Sequence, residues 1–232
     1  MKILVVIPIQ AEIDGFLQGV DHAGQREEAV VGRLPVVRFS DLGITVARGG
    51  LGKVQFAVHT QHLLDADPGW DLVICAGAAG ALVNDLSVGD IVVATETVEH
   101  DINNKFGKPL LPRFSGEKTA IETLRQVSLI PGSFRMHFGP VASGDEDVIA
   151  VERKEGLHRL TGALAVAWEG AGGARACHFS GIPFIEIRGI TDGANSNAAA
   201  DFEANLPSVM KNVATLIVSW VSGPHILRLM ER

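Results

Sequence analysis

The run Ile3 to Ile9 is apolar at every position and rich in β-branched residues, the pattern of a strand covered on both faces of a sheet. Leu72 to Ala76, Asp90 to Thr95 and Pro183 to Ile190 repeat that pattern and predict three further strands. Between them, 3.6-residue periodicity predicts helices over Val54–Asp65, Thr119–Val127, Ala163–Phe179 and Leu206–Val221. Strands alternating with helices imply a largely parallel sheet with helices on both faces, so the fold class is α/β. The stretch Asn103 to Gly116 carries two prolines and no apolar register, which reads as a long surface loop. Gly77 to Gly80, with four small residues in a row after a strand, reads as a turn that lets backbone approach a ligand.

Composition narrows this picture. A chain of 232 residues that is 47% hydrophobic and 20% charged suits one globular domain spanning 1–232. Its net charge of −7, with no basic stripe interleaved with aromatics, argues against a nucleic-acid partner. No run approaches the roughly 20 apolar residues of a membrane span, so no membrane partner is expected. The two cysteines, Cys75 and Cys177, lie inside apolar runs, as buried thiols do in a reducing compartment, and this predicts a cytoplasmic protein.

In a parallel sheet the ligand site forms where strands end, so polar residues just past the apolar runs are the candidates. Glu12 follows the first run, and Thr191 and Asp192 follow the last. Taken singly, each acid also reads as a helix cap. The glycine cluster GGLGK (Gly49 to Lys53) opens a helix but lacks phosphate-loop spacing, and no G-x-G-x-x-G is present, so no nucleotide cofactor is expected. His59 and His62 have no carboxylate or thiolate in ligand spacing, so no metal is expected. His100, beside Asp101, reads as a structural hydrogen-bonding residue. No G-x-S-x-G elbow supports a serine hydrolase.

Seven segments, in order and in register, carry a family resemblance: MKILVVIPIQAEID, GLGKVQFAVHTQHLL, DLVICAGAAGAL, LSVGDIVVATETVEHD, SGDEDVI, AVAWEGAGGARAC and IPFIEIRGITDGAN. Together they resemble the 5′-methylthioadenosine/S-adenosylhomocysteine nucleosidases of the nucleoside phosphorylase superfamily. The resemblance implies a single-domain, three-layer α/β/α fold with a twisted, mostly parallel mixed sheet, and hydrolysis of the bond between purine and ribose. It implies Asp192 as the general acid toward the leaving base and Glu12 as the carboxylate that activates water. Glu169 would accept hydrogen bonds from the ribose hydroxyls, with Trp168 packed under the sugar and Arg188 near the nucleophile. Val148 would meet the base through its backbone, beside Asp147. Gly77, Ala78 and Thr191 would complete the pocket, and Ile9, Phe106 and Phe202 would line the site of the 5′ substituent. A homodimer with a shared pocket is also implied, Phe106 reaching across from the second copy.

The chain departs from that family in three places. Ala78 stands where a serine is common, which argues against phosphorolysis. Asp147 stands where an aromatic residue stacks on adenine. Ala167 replaces the first acid of the motif around Glu169. Three other readings stay open: a futalosine or aminodeoxyfutalosine hydrolase with another 5′ group, a nucleoside phosphorylase using Arg48 for phosphate, and a non-catalytic binding module on the same fold.

Overall fold

The computed structural model describes residues 1–20, 24–107, 110–128 and 133–229. Its strands are β1 (Ile3–Ile7), β2 (Arg26–Val31), β3 (Leu34–Phe39), β4 (Ile44–Arg48), β5 (Leu72–Ala81), β6 (Ile91–Glu99), β7 (Arg113–Ser115), β8 (Met136–Ser143), β9 (Ala165–Ala167) and β10 (Phe184–Asp192). Its helices are α1 (Gln10–Val20), α2 (Gly52–Ala66), α3 (Lys118–Leu124), α4 (Val151–Thr161), α5 (Gly170–Ser180) and α6 (Ala198–Val221).

β5, β10, β6, β8 and β9 pair in a closed ring, and from β5 the sheet continues through β1, β4 and β3 to β2. Parallel pairings join β1 to β4 and β5, β10 to β5, and β8 to β6 and β9. Antiparallel ones join β10 to β6, β5 to β9 and the outer β2–β3–β4 ribbon. This is the mixed sheet expected.

The apolar run of β1 serves both faces. Ile3, Val5 and Ile7 pack into a core shared with α1, α3 and α6, whereas Leu4 and Val6 pack into a second core with α2 and α5. Each fully buried aliphatic side chain contributes about 1.5–3 kcal/mol, so the two-sided strand anchors the three layers.

Several boundaries differ from expectation. β1 stops at Ile7 because Pro8 has no N–H to donate, and the chain then turns into α1. Gly77–Gly80 is no turn: β5 runs on to Ala81, paired with β10 on one side and with β9 near its end. Its small residues make room for side chains of neighbouring elements. The stretch read as one helix over Ala163–Phe179 divides into β9 and α5, with Glu169 at the junction. α6 begins at Ala198, and Pro207 sits inside it. The expected loop Asn103–Gly116 contains β7, and its residues 108–109 lie outside the described residues.

Among the helices, α1 has the most direct bearing on the site, because it carries Glu12 and lies against α6 at glycine. A Cβ on Gly19 would sit 2.6 Å from Ala214 Cβ and 3.0 Å from the Lys211 carbonyl oxygen. Gly19→Ala should therefore be less stable than wild type in urea unfolding by about 1–3 kcal/mol, overpacking outweighing the ~1 kcal/mol that alanine gains in a helix. A variant at least as stable as wild type would show that the two helices can move apart freely.

Candidate active site

The strand ends meet at one cleft of about 520 Å³, within the range of small-molecule pockets. Pro8 and Ile9 after β1, Ala78 to Gly80 on β5, Trp168 and Glu169 after β9, and Thr191 and Asp192 on β10 all face it. The segment after β8 closes one side with Glu146, Asp147, Val148 and Ile149, and the start of α6 contributes Phe202 and Glu203.

Glu12, in the first turn of α1, is 3% exposed. Its Oε2 accepts from Ile9 N at 3.1 Å, half of a capping box, while Oε1 accepts from Ala78 N at 2.8 Å. Cap and candidate base are thus the same carboxylate. Burial, reinforced by the charge of Glu169, pushes its pKa up to about 7.

Glu169 is held from two sides. Oε1 accepts from Gly52 N at 3.4 Å and Oε2 from Arg188 Nη2 at 3.3 Å. Burial raises its pKa and Arg188 opposes that. Arg188, 1% exposed, also donates from Nη1 to the Ala78 carbonyl oxygen at 3.3 Å, from Nη2 to Cys75 Sγ at 3.3 Å and from Nε to Glu186 Oε1 at 2.7 Å. Gly77 lies beneath this group: a Cβ there would be 2.6 Å from Arg188 Nη1 and 2.9 Å from Glu12 Oε1. It does not face the cleft itself.

Asp192 owes its aim to an irregularity. The β10–β5 register shifts between Ile190 and Asp192, a bulge that turns the carboxylate into the cleft. Oδ1 accepts from Ala194 N at 2.9 Å, and Oδ2 accepts from Thr191 Oγ1 at 2.8 Å. Ala194 takes φ +48°, a left-handed conformation that a non-glycine residue holds only at a cost. Burial raises the pKa of Asp192. Gly80 is glycine for the same reason as Gly77, since a Cβ would be 2.8 Å from Asp192 Oδ1.

The junction holding Trp168 and Glu169 is tied to β8 by Ser143, whose Oγ donates to the Trp168 carbonyl oxygen at 2.7 Å and accepts from Ala171 N at 2.9 Å. Val148 is buried and Asp147 exposed at the cleft. Ile9 and Phe202 also line the cleft, each half-buried. Phe106 does not: at 104% exposure it points away from its own cleft.

His100 departs from the expected role. It is buried, neither ring nitrogen has a hydrogen-bond partner, and Glu146 Oε2 stands 3.9 Å from Nδ1. Burial holds its pKa below the usual value. Asp101 makes the ties instead, accepting from Lys53 Nζ and, at 2.9 Å, from Asp145 N.

The cleft is acidic. Among the described residues, six carboxylates line it and no lysine or arginine does. Arg48 is exposed and takes no part. The GGLGK loop has φ of +88° at Gly50 and +78° at Gly52, which bends the chain so that amides of the α2 N-terminus point inward. Those amides meet the protein's own acids: Gly52 N donates to Glu169, and Lys53 N donates to Asp145 Oδ1 at 2.8 Å. The positive end of the helix dipole is therefore already engaged. Among the described residues no group of three or more His, Cys, Asp or Glu is placed to hold a metal ion.

Sequence reasoning misses Glu186, Leu51, Glu146, Glu203 and the bulge. Glu186 carries a readable signal, a charge two residues from Arg188 in an otherwise apolar strand, hence on the same face. The others depend on loop paths that spacing does not encode.

The profile described as the Phosphorylase superfamily matches residues 2–222. The 5′-methylthioadenosine/S-adenosylhomocysteine nucleosidase of Shewanella oneidensis is 30% identical over 94% of this chain and 95% of its own. The nucleosidase of the same name from Neisseria meningitidis, solved with methylthio-immucillin-A, superposes with a TM-score of 0.84 at 29% identity, covering 95% of this chain and 98% of that one. Futalosine hydrolase of Helicobacter pylori superposes with a TM-score of 0.84 at 28% identity, covering 96% and 97%.

The raised pKa of Glu12 has a consequence for stability. The folded state holds this proton more tightly than the unfolded chain, so ionising the group weakens the fold as pH climbs from about 4.5 through about 7. Glu12→Gln should flatten stability against pH in that window, measured by urea midpoints. Equal slopes for variant and wild type would place the titration of Glu12 elsewhere.

Proposed function

Because the chain belongs to the phosphorylase superfamily, and within it to the 5′-methylthioadenosine/S-adenosylhomocysteine nucleosidase family, we propose that it is an N-ribosyl hydrolase. It cleaves the N-glycosidic bond of 5′-methylthioadenosine- and S-adenosylhomocysteine-type nucleosides with water. The observation that carries this reading is the meeting of Glu12, Glu169 and Asp192 in one acidic cleft that, among the described residues, no lysine or arginine lines.

The chemistry asks for a proton on the leaving purine, a base for water, and fixed contacts on a sugar that gains oxocarbenium character. Asp192, whose pKa burial raises, is the acid that gives a proton to the departing base. The Thr191 hydroxyl orients it, and Asn205 fixes Thr191 by donating to its carbonyl oxygen at 2.9 Å. Glu12 uses one lone pair on each oxygen for Ala78 N and Ile9 N, which leaves the others for water. Near pH 7 it ionises readily enough to act, yet binds a proton strongly enough to remove one from water. Glu169 receives the ribose hydroxyls with Trp168 beneath them. The Val148 backbone meets the base edge beside Asp147, Ala78 forms the floor with Gly77 beneath it, and Ile9 and Phe202 take the 5′ group.

An acidic cleft repels phosphate, which favours water over phosphate as acceptor.

We assign residues 1–232 to one domain and the reaction to the cytoplasm, a reading supported by two buried free thiols and by the absence, among the described residues, of any helix long and apolar enough to cross a membrane. We further propose a homodimer whose partner covers the cleft. Leu51, Val54 and Val58 form an exposed apolar stripe on and just before α2, Leu51 borders the cleft, and Phe106 is fully exposed.

Chromatography of the products from a nucleoside panel tests the reaction: free adenine should appear from 5′-methylthioadenosine, and Asp192→Asn should lose about 10² to 10⁴ in rate. Activity within a few-fold of wild type would remove Asp192 from the mechanism.

Light scattering should give a dimer, and Phe106→Ala should weaken thioether substrates by about 1–3 kcal/mol, the size of a lost apolar pocket contact. A fully active monomer would sink the shared cleft.

A further inference from the structure

Glu186 takes no part in the proposed reaction, yet it is fully buried beside the reacting groups. It precedes Arg188 by two residues on β10, so both side chains leave the same face of the strand. Oε1 accepts from Arg188 Nε at 2.7 Å, and Oε2 accepts from Thr97 Oγ1 at 2.5 Å. The neighbouring elements are cut to fit it. A methyl group on Gly170, the residue after Glu169, would collide with the Glu186 carboxylate, whose atoms are its three nearest neighbours. β6 therefore supplies a hydroxyl and α5 supplies empty space, both for one carboxylate. A buried charge of this kind persists only when paired and hydrogen-bonded, and the structure provides both.

Resting on the reading of Glu12 as the group that activates water, we propose that Glu186 is a positioning residue. It clamps Arg188 through Nε, so that Nη1 meets the Ala78 carbonyl oxygen and Nη2 meets Glu169. Its charge offsets the guanidinium, which leaves Glu12 free to take a proton from water.

The electrostatics are set by the neighbours. Around Arg188 and Glu12 stand Glu169 after β9, Cys75 on β5, Glu186 on β10 and, on the cleft wall, Asp192. Burial keeps the Cys75 thiol protonated, so the carboxylates alone balance the guanidinium. Neutralising Glu186 leaves one extra positive charge behind Glu12, which favours ionised Glu12 and makes it a weaker base.

Glu186→Gln tests this with little change in shape, its amide oxygen facing Arg188 Nε and its NH2 facing the Thr97 hydroxyl, which accepts as well as donates. The acid limb of kcat against pH should move down by about half to one pH unit, with kcat at the optimum falling about 5- to 10-fold and KM within about twofold. Without substrate, the infrared band of the protonated Glu12 carboxyl, assigned by its loss in Glu12→Gln, should titrate at correspondingly lower pH. A folded variant whose limb and band stay put, or move up, overturns the proposal. Gly170→Ala alone should cost folded protein through the collision, and Gly170→Ala with Glu186→Ala should fold again while keeping the lowered band; a wild-type band in that pair also overturns it. If the band moves but no nucleoside is cleaved, the hydrolase reading falls and the clamp on Arg188 stands. If nucleosides are cleaved and the band does not move, the clamp falls and the hydrolase reading stands.

Discussion

Three buried carboxylates, Glu12, Glu169 and Glu186, share one buried guanidinium, that of Arg188. Unit charges about 4 Å apart interact by roughly 4 kcal/mol even at an effective dielectric constant of about 20, so one cation cannot satisfy three anions equally. Glu186 and Glu169 hold the hydrogen bonds to Arg188. Glu12 receives only its longer-range attraction and two backbone amides, and it is the group pushed up to about 7. Burial, and then the uncompensated charge of Glu169, is what makes a carboxylate basic near neutrality. Much of the surrounding sequence is shaped by the cluster. Gly77 and Gly170 are glycines because side chains of the cluster occupy the space a Cβ would take, and Cys75 gives the guanidinium a small polarisable neighbour.

A second consequence concerns anions from outside. The α2 N-terminus has the geometry and dipole to bind phosphate, but Glu169 and Asp145 already accept its amides. Internal acids thus consume the donors, and the cleft they leave is lined by carboxylates. In the proposed reaction the same hydrogen bonds fix Glu169 for the ribose hydroxyl groups, which are neutral and donate. Asp192 stands apart from Arg188, on a bulge and beside a strained Ala194, and burial, aided by the charge of Asp201, raises its pKa. The proposed acid and base are separated by environment, not by residue type.

How much of this is legible in the sequence depends on what each segment packs against. β1 and β10 announce themselves because both faces are buried, so every position is apolar apart from the site's own charges. Glu12, Glu169 and Asp192 are found because site residues follow strand ends and because seven segments resemble one family. α1 escapes notice although Ile13, Phe16, Leu17 and Val20 repeat at helical spacing, its start being hidden by the run into Ile9. β9 spans three residues, too short for any period, and merges into an expected helix. The small residues of β5 read as a turn since sequence shows that space is left, not which group fills it. Glu186 filling the space beside Gly170 is a tertiary fact, legible only once β10 and α5 are side by side.

The acceptor in the proposed reaction is the sharpest consequence of an acidic cleft built around a buried carboxylate. Release of adenine from 5′-methylthioadenosine should be followed in phosphate-free buffer and then across added phosphate, with 31P NMR monitoring for a sugar phosphate. A cleft of this charge should give full activity without phosphate, a rate that does not rise as phosphate is added, and free sugar as the second product. A rate that vanishes without phosphate, with a sugar phosphate growing in as it is restored, would contradict it.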